Sequence, residues 1–417
     1  MSAASICCTR NAETASASDD APQFVTVSDG NFMIGDSIYK YKGANMWYAA
    51  ILGSEGQGGD RARLIAELDT LKSLGIDNLR ILAGAGEGDD DLPCHIMPVL
   101  QTAPGVYNDT ILEGLDFLLA ELEKRDMKAV LYLNNSWEWS GGYSTYLEWA
   151  GKGKALIPAI DGYNNYCDYV AQFVTNDSAK KMAADHVRKI VGRTNSITGK
   201  PYSESPAIMS WQVANEPRAF ARDSVTKESF YEWVTSTASL IKSLDPNHLV
   251  STGSEGYIGC EGDLDLWTRI HTYPDIDYAN IHIWPYNWGW ASKTNPDGDI
   301  DQSIAYSYQY IKDHSDALAG RRPLVIEEFG YPRENGRFAV TTPTGSRDKF
   351  YEFIFSIVDT TSMVNGCNFW AWGGDVVPPH ADAWQKWDPY TGDPAQEPQG
   401  LYSVFAGDST TISLLKK

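Results

Sequence analysis

"IMSWQVANEP", residues 208–217, stays mainly apolar as far as Ala214 and then turns polar at Asn215 and Glu216. A strand apolar along its whole length is covered on both faces, as in a parallel sheet clothed by helices. Ending it on a carboxylate puts charge where hydration is hardest, so Glu216 must stand where the sheet opens toward a ligand. Seven other runs share this character: "YKGANMW" (41–47), "NLRIL" (78–82), "KAVLYLN" (128–134), "LVSTGSE" (249–255), "YANIHIW" (278–284), "PLVIEEFG" (323–330) and "CNFWAWGG" (367–374). Between the runs, apolar residues recur at helical spacing over 60–74, 110–124, 178–192, 227–244, 301–318 and 346–360, while "DLDLWTRIH" (263–271) leaves room for only a short helix. Eight such strands alternating with helices predict an α/β fold, a (β/α)8 TIM barrel with its ligand site at the carboxyl ends of the strands. Ahead of them, residues 24–43 alternate between turn signals at Asp29-Gly30 and Gly35-Asp36, which predicts a small N-terminal β-hairpin cap. No Pro/Ser-rich linker or repeat divides 23–417, so one catalytic domain is expected there.

Composition narrows the ligand. The chain has 417 residues, 43% of them apolar, and a formal net charge of −21. That acidity excludes nucleic acid, whose phosphates demand clustered Lys and Arg, and argues against polyanionic substrates. The 14 Trp and 23 Tyr exceed what a core of this size needs, and Trp recurs in loop-like segments. Flat aromatic faces suit sugar rings, whose axial C–H groups form an apolar surface. Six cysteines show no metal-ligand spacing, so neither a metal nor a cofactor is expected. Cys367 reads as a buried thiol, and Cys94 and Cys167 as a candidate disulfide if the chain is exported. Residues 1–22 read as a flexible tail or leader remnant, with no stretch long enough for a signal or transmembrane helix. Adjacent Cys7 and Cys8 before an acidic spacer also suit a lipoprotein at a bacterial cell envelope. A secreted or extracytoplasmic monomer is the expectation.

The strand ends gather Asn45, Arg80, Asn134, Asn135, Asn215, Glu216, Glu255, His282, Trp284, Glu327, Glu328, Trp370 and Trp372 at one barrel mouth. Carboxylates on strands four and seven face each other across such a mouth. About 5 to 5.5 Å apart, they perform double displacement with retention at a sugar's anomeric carbon; a wider gap admits water and inverts. Alternation places Leu324, Ile326 and Glu328 on one face of strand seven and Val325 and Glu327 on the other, so the two glutamates are expected to face opposite ways.

"NEP" after strand four, "EEFG" after strand seven, the strand-two arginine and the strand-eight tryptophan together resemble glycoside hydrolase family 5, a retaining family, over roughly residues 38–375. The resemblance implies Glu216 as acid/base and Glu328 as nucleophile, with Arg80 favouring the charged nucleophile, Asn215 holding the sugar 2-hydroxyl and His282 ordering the acid/base. The family's tyrosine two residues after that histidine is here Trp284, so the indole N–H or Tyr331 is expected to replace its hydroxyl. Trp370 resembles the family's sugar platform, with a Trp370-Ala371 bond expected to be cis, and Trp372 points inward by alternation, as a sugar contact or as a core filler. "ANEPR" (214–218), "LNNSWEWSGG" (133–142) and "HIWPYNW" (282–288) look more like endo-β-1,4-mannanases than cellulases. On that likeness Arg218 meets the leaving-group side and Trp137 forms a groove wall, with Arg80, Asn135, His282, Trp284, Trp372 and Trp384 also counted among the substrate contacts. The segment 375–398, with Trp384, Trp387 and Tyr390, is long enough to be functional and reads as a further aromatic wall. The function expected is retaining endo-cleavage of β-1,4-mannosidic bonds in a polysaccharide; an endoglucanase and a non-catalytic glycan-binding barrel are the alternatives.

Overall fold

In the computed structural model, which describes residues 23–89 and 91–416, each of the eight apolar runs carries a strand. They are Tyr41–Asn45, Asn78–Leu82, Lys128–Tyr132, Ile208–Gln212, Leu249–Ser251, Ala279–Ile283, Leu324–Phe329 and Gly366–Phe369, referred to below as barrel strands one to eight. Strands two, three, four, six, seven and eight are buried at every position, as strands covered on both faces must be. Hydrogen-bonded neighbours are all parallel and run in the order five, four, three, two, one, eight, seven, six. The gap between strands five and six is closed by single contacts: Asp277 N donates to Val250 O (2.8 Å), Val250 N to the Asp277 carboxylate (2.7 Å), and His282 N to Glu255 O (3.2 Å).

The helices form where the apolar spacing predicts: Arg61–Ser73, Asp109–Lys124, Asp177–Val191, Ser224–Leu244, Leu264–His271, Ile300–Leu318 and Gly345–Thr360. Five of them start on a side-chain cap, at Asp60, Asn108, Asn176, Asp223 and Asp263, whose oxygens accept from backbone N–H groups that the first turn leaves unpaired. Three short helices in the loop after strand three, Gly142–Trp149, Pro158–Asp161 and Tyr163–Val170, have no counterpart in the sequence reading. Gly142–Trp149 is buried over most of its length, so it lacks the one-sided stripe by which a helix is recognised.

The expected cap is a three-stranded antiparallel meander, Val25–Ser28, Asn31–Ile34 and Ser37–Ile38, turning at Asp29, Gly30 and Gly35, all at positive φ. Phe32 is fully buried against Tyr41 and Tyr278, in a cluster with Val130, Met209, Leu249 and Val325 that plugs the barrel end opposite the site. Cys94, Cys167, Cys260 and Cys367 are free thiols, so the candidate disulfide between Cys94 and Cys167 does not form. Cys7, Cys8 and the expected tail over 1–22 lie outside the described residues. Among the described residues no helix is long and apolar enough to cross a membrane.

The segment that follows strand eight is irregular yet firmly anchored. Asp393 accepts from the backbone N–H groups of Gly400 (2.7 Å), Tyr402 (2.9 Å) and Ser403 (3.1 Å). Arg347, fully buried, donates to the carbonyls of Tyr331 (2.9 Å), Leu401 (2.6 Å) and Ser403 (2.9 Å). Arg333 reaches both oxygens of Asp408, at 2.8 and 2.7 Å, with its guanidinium fully buried. Removing one partner of a buried pair strands the other charge. Asp408→Ala is therefore expected to cost about 3 to 5 kcal/mol in a denaturant titration, whereas a change at the exposed pair Arg269–Glu228 is expected to shift the midpoint little.

Candidate active site

Glu216 lies four residues beyond the end of strand four, and the backbone that carries it is tied to both neighbouring strands. Ala214 N donates to Thr252 O (3.1 Å) and Glu216 N to Gly253 O (2.9 Å), while Asn215 N donates to Asn134 O (2.7 Å). Glu216 has φ 48°, a left-handed conformation that a residue with a side chain keeps only when its surroundings hold it there. Gly253 makes the close approach possible: at φ 82°, a Cβ on it would lie 1.8 Å from Ala214 O.

Strand seven delivers two carboxylates through an irregularity. Ile281 pairs with Ile326 but His282 pairs with Glu328, so Glu327 is the extra residue of a bulge. Strict alternation, which would send Glu327 to the other face, breaks there, and both glutamates approach Arg80. Glu327, fully buried, accepts from Tyr278 Oη (2.9 Å) and from the amides of Gln212 and Asn280, and its Oε2 lies 3.9 Å from Arg80 Nε. Glu328 takes the mouth-facing place, one oxygen on Arg80 Nη1 and the other 3.2 Å from His282 Nδ1.

Arg80 is wholly buried and spends its remaining donors on Gln212 Oε1 (2.8 Å), Asn215 Oδ1 (2.9 Å) and Asn45 Oδ1 (3.2 Å). His282 Nδ1 also lies 2.8 Å from Glu216 Oε1, and the other oxygen of Glu216 accepts from the Trp137 indole at 2.5 Å. Single oxygens of Glu216 and Glu328 lie within 4.8 Å of one another. Burial alone would push Glu328 upward, but the charges of His282 and Arg80 outweigh it and hold the carboxyl below its ordinary range. Burial works on His282 in the opposite direction, and the two glutamates overcome it, raising the imidazole to about 9. Glu216, His282 and Glu328 are the one group among the described residues whose atoms converge as metal ligands would. A protonated imidazole beside a guanidinium-paired carboxylate makes a poor ligand set, and the trio reads as acid/base machinery.

A cavity of about 480 Å³ opens over this pair, and Trp137, Asn215, Arg218, Trp284 and Trp370 stand on its wall as the sequence expects. Arg218 meets Glu255 with two donors, so it is a buried ion pair presented to the cavity. The Trp370-Ala371 bond is cis. Five expected substrate contacts fall outside its lining. His282 is fully buried, with Nδ1 beside Glu216 and Glu328. Arg80 touches only protein groups and acts through Glu328. Asn135 is 1% exposed and spends its amide on Ser140, Trp137 N and Asn215, so it holds Asn215 in place. Trp372 lies in the core, as the core-filler alternative has it, its carbonyl accepting from Tyr48; strand eight ends at Phe369, so alternation does not extend to it. Trp384 stacks on Tyr390 at 4.9 Å and bonds Asp388 O, so its face is spent inside the loop. Nor does Tyr331 replace the missing hydroxyl: its Oη donates to Pro296 O at 2.6 Å, and His282 occupies that oxygen of Glu328 instead.

The wall also includes residues that sequence reasoning did not single out, among them Glu138, Trp139, Asn287, Trp288, Gln396 and Glu397. All six sit inside segments marked as functional, but irregular loops carry no period from which inward-facing positions can be read. Burial raises Glu138 to about 7. Burial, followed by the nearby charges of Asp393, Glu328 and Glu216, pushes Glu397 well above the carboxylate range.

A family model described as "GH family 5 beta-mannosidase-like" matches residues 22–417. The mannan endo-1,4-beta-mannosidase 1 of Arabidopsis thaliana is 30% identical over 348 residues, covering 80% of this chain and 76% of its own. A putative mannan endo-1,4-beta-mannosidase 9 of Oryza sativa subsp. japonica is 27% identical over 373 residues, 87% of this chain and 83% of its own. Among solved structures, a glycoside hydrolase family 5 mannosidase from Rhizomucor miehei superposes with a TM-score of 0.84 at 33% identity, over 95% of this chain and 96% of that one. With the family model spanning the whole barrel and both glutamates in place at strands four and seven, the chain belongs to the β-mannosidase-like members of glycoside hydrolase family 5.

Proposed function

We propose that the protein hydrolyses β-1,4-mannosidic bonds in mannan with retention of configuration. The separation of Glu216 and Glu328, within 4.8 Å oxygen to oxygen, carries this reading, since it leaves no room for the extra water of an inverting site. Glu328, kept ionised by Arg80 and His282, attacks the anomeric carbon while Glu216 protonates the departing oxygen; Glu216 then takes a proton from water as that water releases the sugar from Glu328. Asn215, fixed by Arg80 and Asn135, is placed to meet the 2-hydroxyl, whose orientation separates mannose from glucose. The plant and Rhizomucor relatives named above support mannan as the substrate. An extracytoplasmic monomer belongs to the same proposal, since a polysaccharide is met outside the cell.

Internal bonds are the first reading of where the chain is cut, as in the relatives named for endo-cleavage. A second reading has one observation behind it. Pro394, Gln396 and Glu397 of the loop after strand eight form part of the cavity wall, and buried oxygens of Gln396 and Glu397 lack partners among the described residues. A wall of that kind with unspent polar atoms favours a chain end. Labelled mannohexaose decides: mixed short oligomers at early times mean internal cleavage, and mannose released from one end means end attack.

Release of reducing sugar from linear mannan is expected to fall about 10²- to 10⁴-fold in Glu216→Gln and at least about a thousandfold in Glu328→Ala. Release mainly from soluble cellulose would transfer the assignment to a glucanase, and full activity in Glu328→Ala would sink the mechanism. His282 gives a pH signature. Its native pKa lies above the ordinary value of about 6.5, so its contribution to stability is complete below that pH and disappears as pH rises through about 9. The difference in melting temperature between wild type and His282→Gln is expected to shrink between pH 7 and pH 10; a difference that grows would contradict the charge assigned here.

A further inference from the structure

A second concave surface lies beyond the catalytic cavity, on the side of strands five and six. Its volume is about 450 Å³, within the range of small-ligand sites. Tyr257 comes from the loop after strand five, Trp290 from the loop after strand six, and Tyr306, Gln302, Gln309 and Asp313 from the helix Ile300–Leu318. Tyr306 is 49% exposed, and Trp290 and Tyr257 are half-buried, so three aromatic residues are open to solvent around one hollow. The rim is hydrogen-bonding: Gln302 Nε2 holds Trp290 O at 3.1 Å, and Gln309 Nε2 donates to Asp313 at 2.7 Å.

One residue packs between this hollow and the active site. Trp288 lines the catalytic cavity, and its ring packs 5.0 Å from Trp290 and 5.4 Å from Tyr310, which forms the floor of the second surface. Tyr310 Oη also donates to Glu255 O at 2.7 Å, which ties the floor of the hollow to the Arg218–Glu255 pair on the acid/base side of the cavity. Aromatic faces with amide and carboxylate neighbours match a sugar, which offers an apolar C–H face and a rim of hydroxyls. An anionic ligand would meet Asp313 and a chain of net charge −21, so a neutral one fits.

We infer that the hollow between Tyr257, Trp290 and Tyr306 is a second sugar-binding site that holds a mannan chain at a distance from the scissile bond, on the leaving-group side. The inference rests on the mannan reading above. It predicts that long substrates gain from the hollow and that a substrate with a single sugar does not reach it.

The test compares kcat/KM on linear mannan with kcat/KM on p-nitrophenyl β-mannoside, for wild type, Trp290→Ala and Tyr306→Ala. The ratio of polymer to short-substrate activity is expected to fall about tenfold in both variants, chiefly through KM on the polymer. Tyr306 stands on a solvent-facing helix surface and touches neither Trp288 nor the cavity wall, so its variant guards against indirect damage. A ratio unchanged in both variants, with wild type active on mannan, overturns the second site alone. A fall in Trp290→Ala without one in Tyr306→Ala traces the effect to Trp288 and also overturns it. A wild-type enzyme that leaves mannan uncut removes the substrate reading and this site together.

Discussion

The buried guanidinium of Arg80 is the interaction on which the barrel mouth depends. It rises from strand two and touches strand one at Asn45, strand four at Gln212 and beyond it at Asn215, and strand seven at Glu327 and Glu328. Two carboxylates on adjacent residues, both nearly unexposed, would repel each other and be driven to protonate if no cation stood between them. With Arg80 in place the Glu328 carboxyl is held below its ordinary range, and Asn215 is fixed at the cavity wall by the same group. His282 supplies the second cation on the opposite oxygen, joining Glu216 and Glu328 through one ring nitrogen.

Around that charged centre the walls are aromatic, and their positions are set by polar anchors well outside the cavity. Trp137 reaches Glu216 because Asn135 Oδ1 fixes its backbone N–H at 3.0 Å and Tyr166 stacks beneath its ring. The loop after strand eight holds Gln396 and Glu397 against the site because Asp393, Arg333 and Arg347 satisfy its backbone carbonyls and N–H groups, which no sheet or helix does. A loop without regular structure can thus serve as a rigid wall.

Much of the fold was legible because the barrel repeats one simple pattern. Runs buried on both faces must be apolar, helices packed on one face must show a stripe, and the eight strands and seven helices followed those rules to within a few residues. The two glutamates were legible for the same reason in reverse, as charges that have no business at the end of a buried strand unless they work there. Alternation expects Glu327 and Glu328 to face opposite ways, but the bulge at Glu327 turns both toward Arg80, so the rule fails at that residue.

Trp372, Trp384 and Asn135 show where sequence periodicity stops. Once the chain leaves a strand, at the cis bond after Trp370 or in the segment beyond Gly374, a residue's direction follows from contacts distant in sequence, such as Tyr48 with the Trp372 carbonyl. The sequence by itself determined the barrel, its cap, the order of the strands and the pair of carboxylates, since burial and charge leave a local record in residue type. Only the tertiary structure decided the spacing of those carboxylates, the sharing of His282 between them and which loop side chains face the cavity. Those depend on groups brought together from separate strands and loops, and no local pattern encodes such a distance.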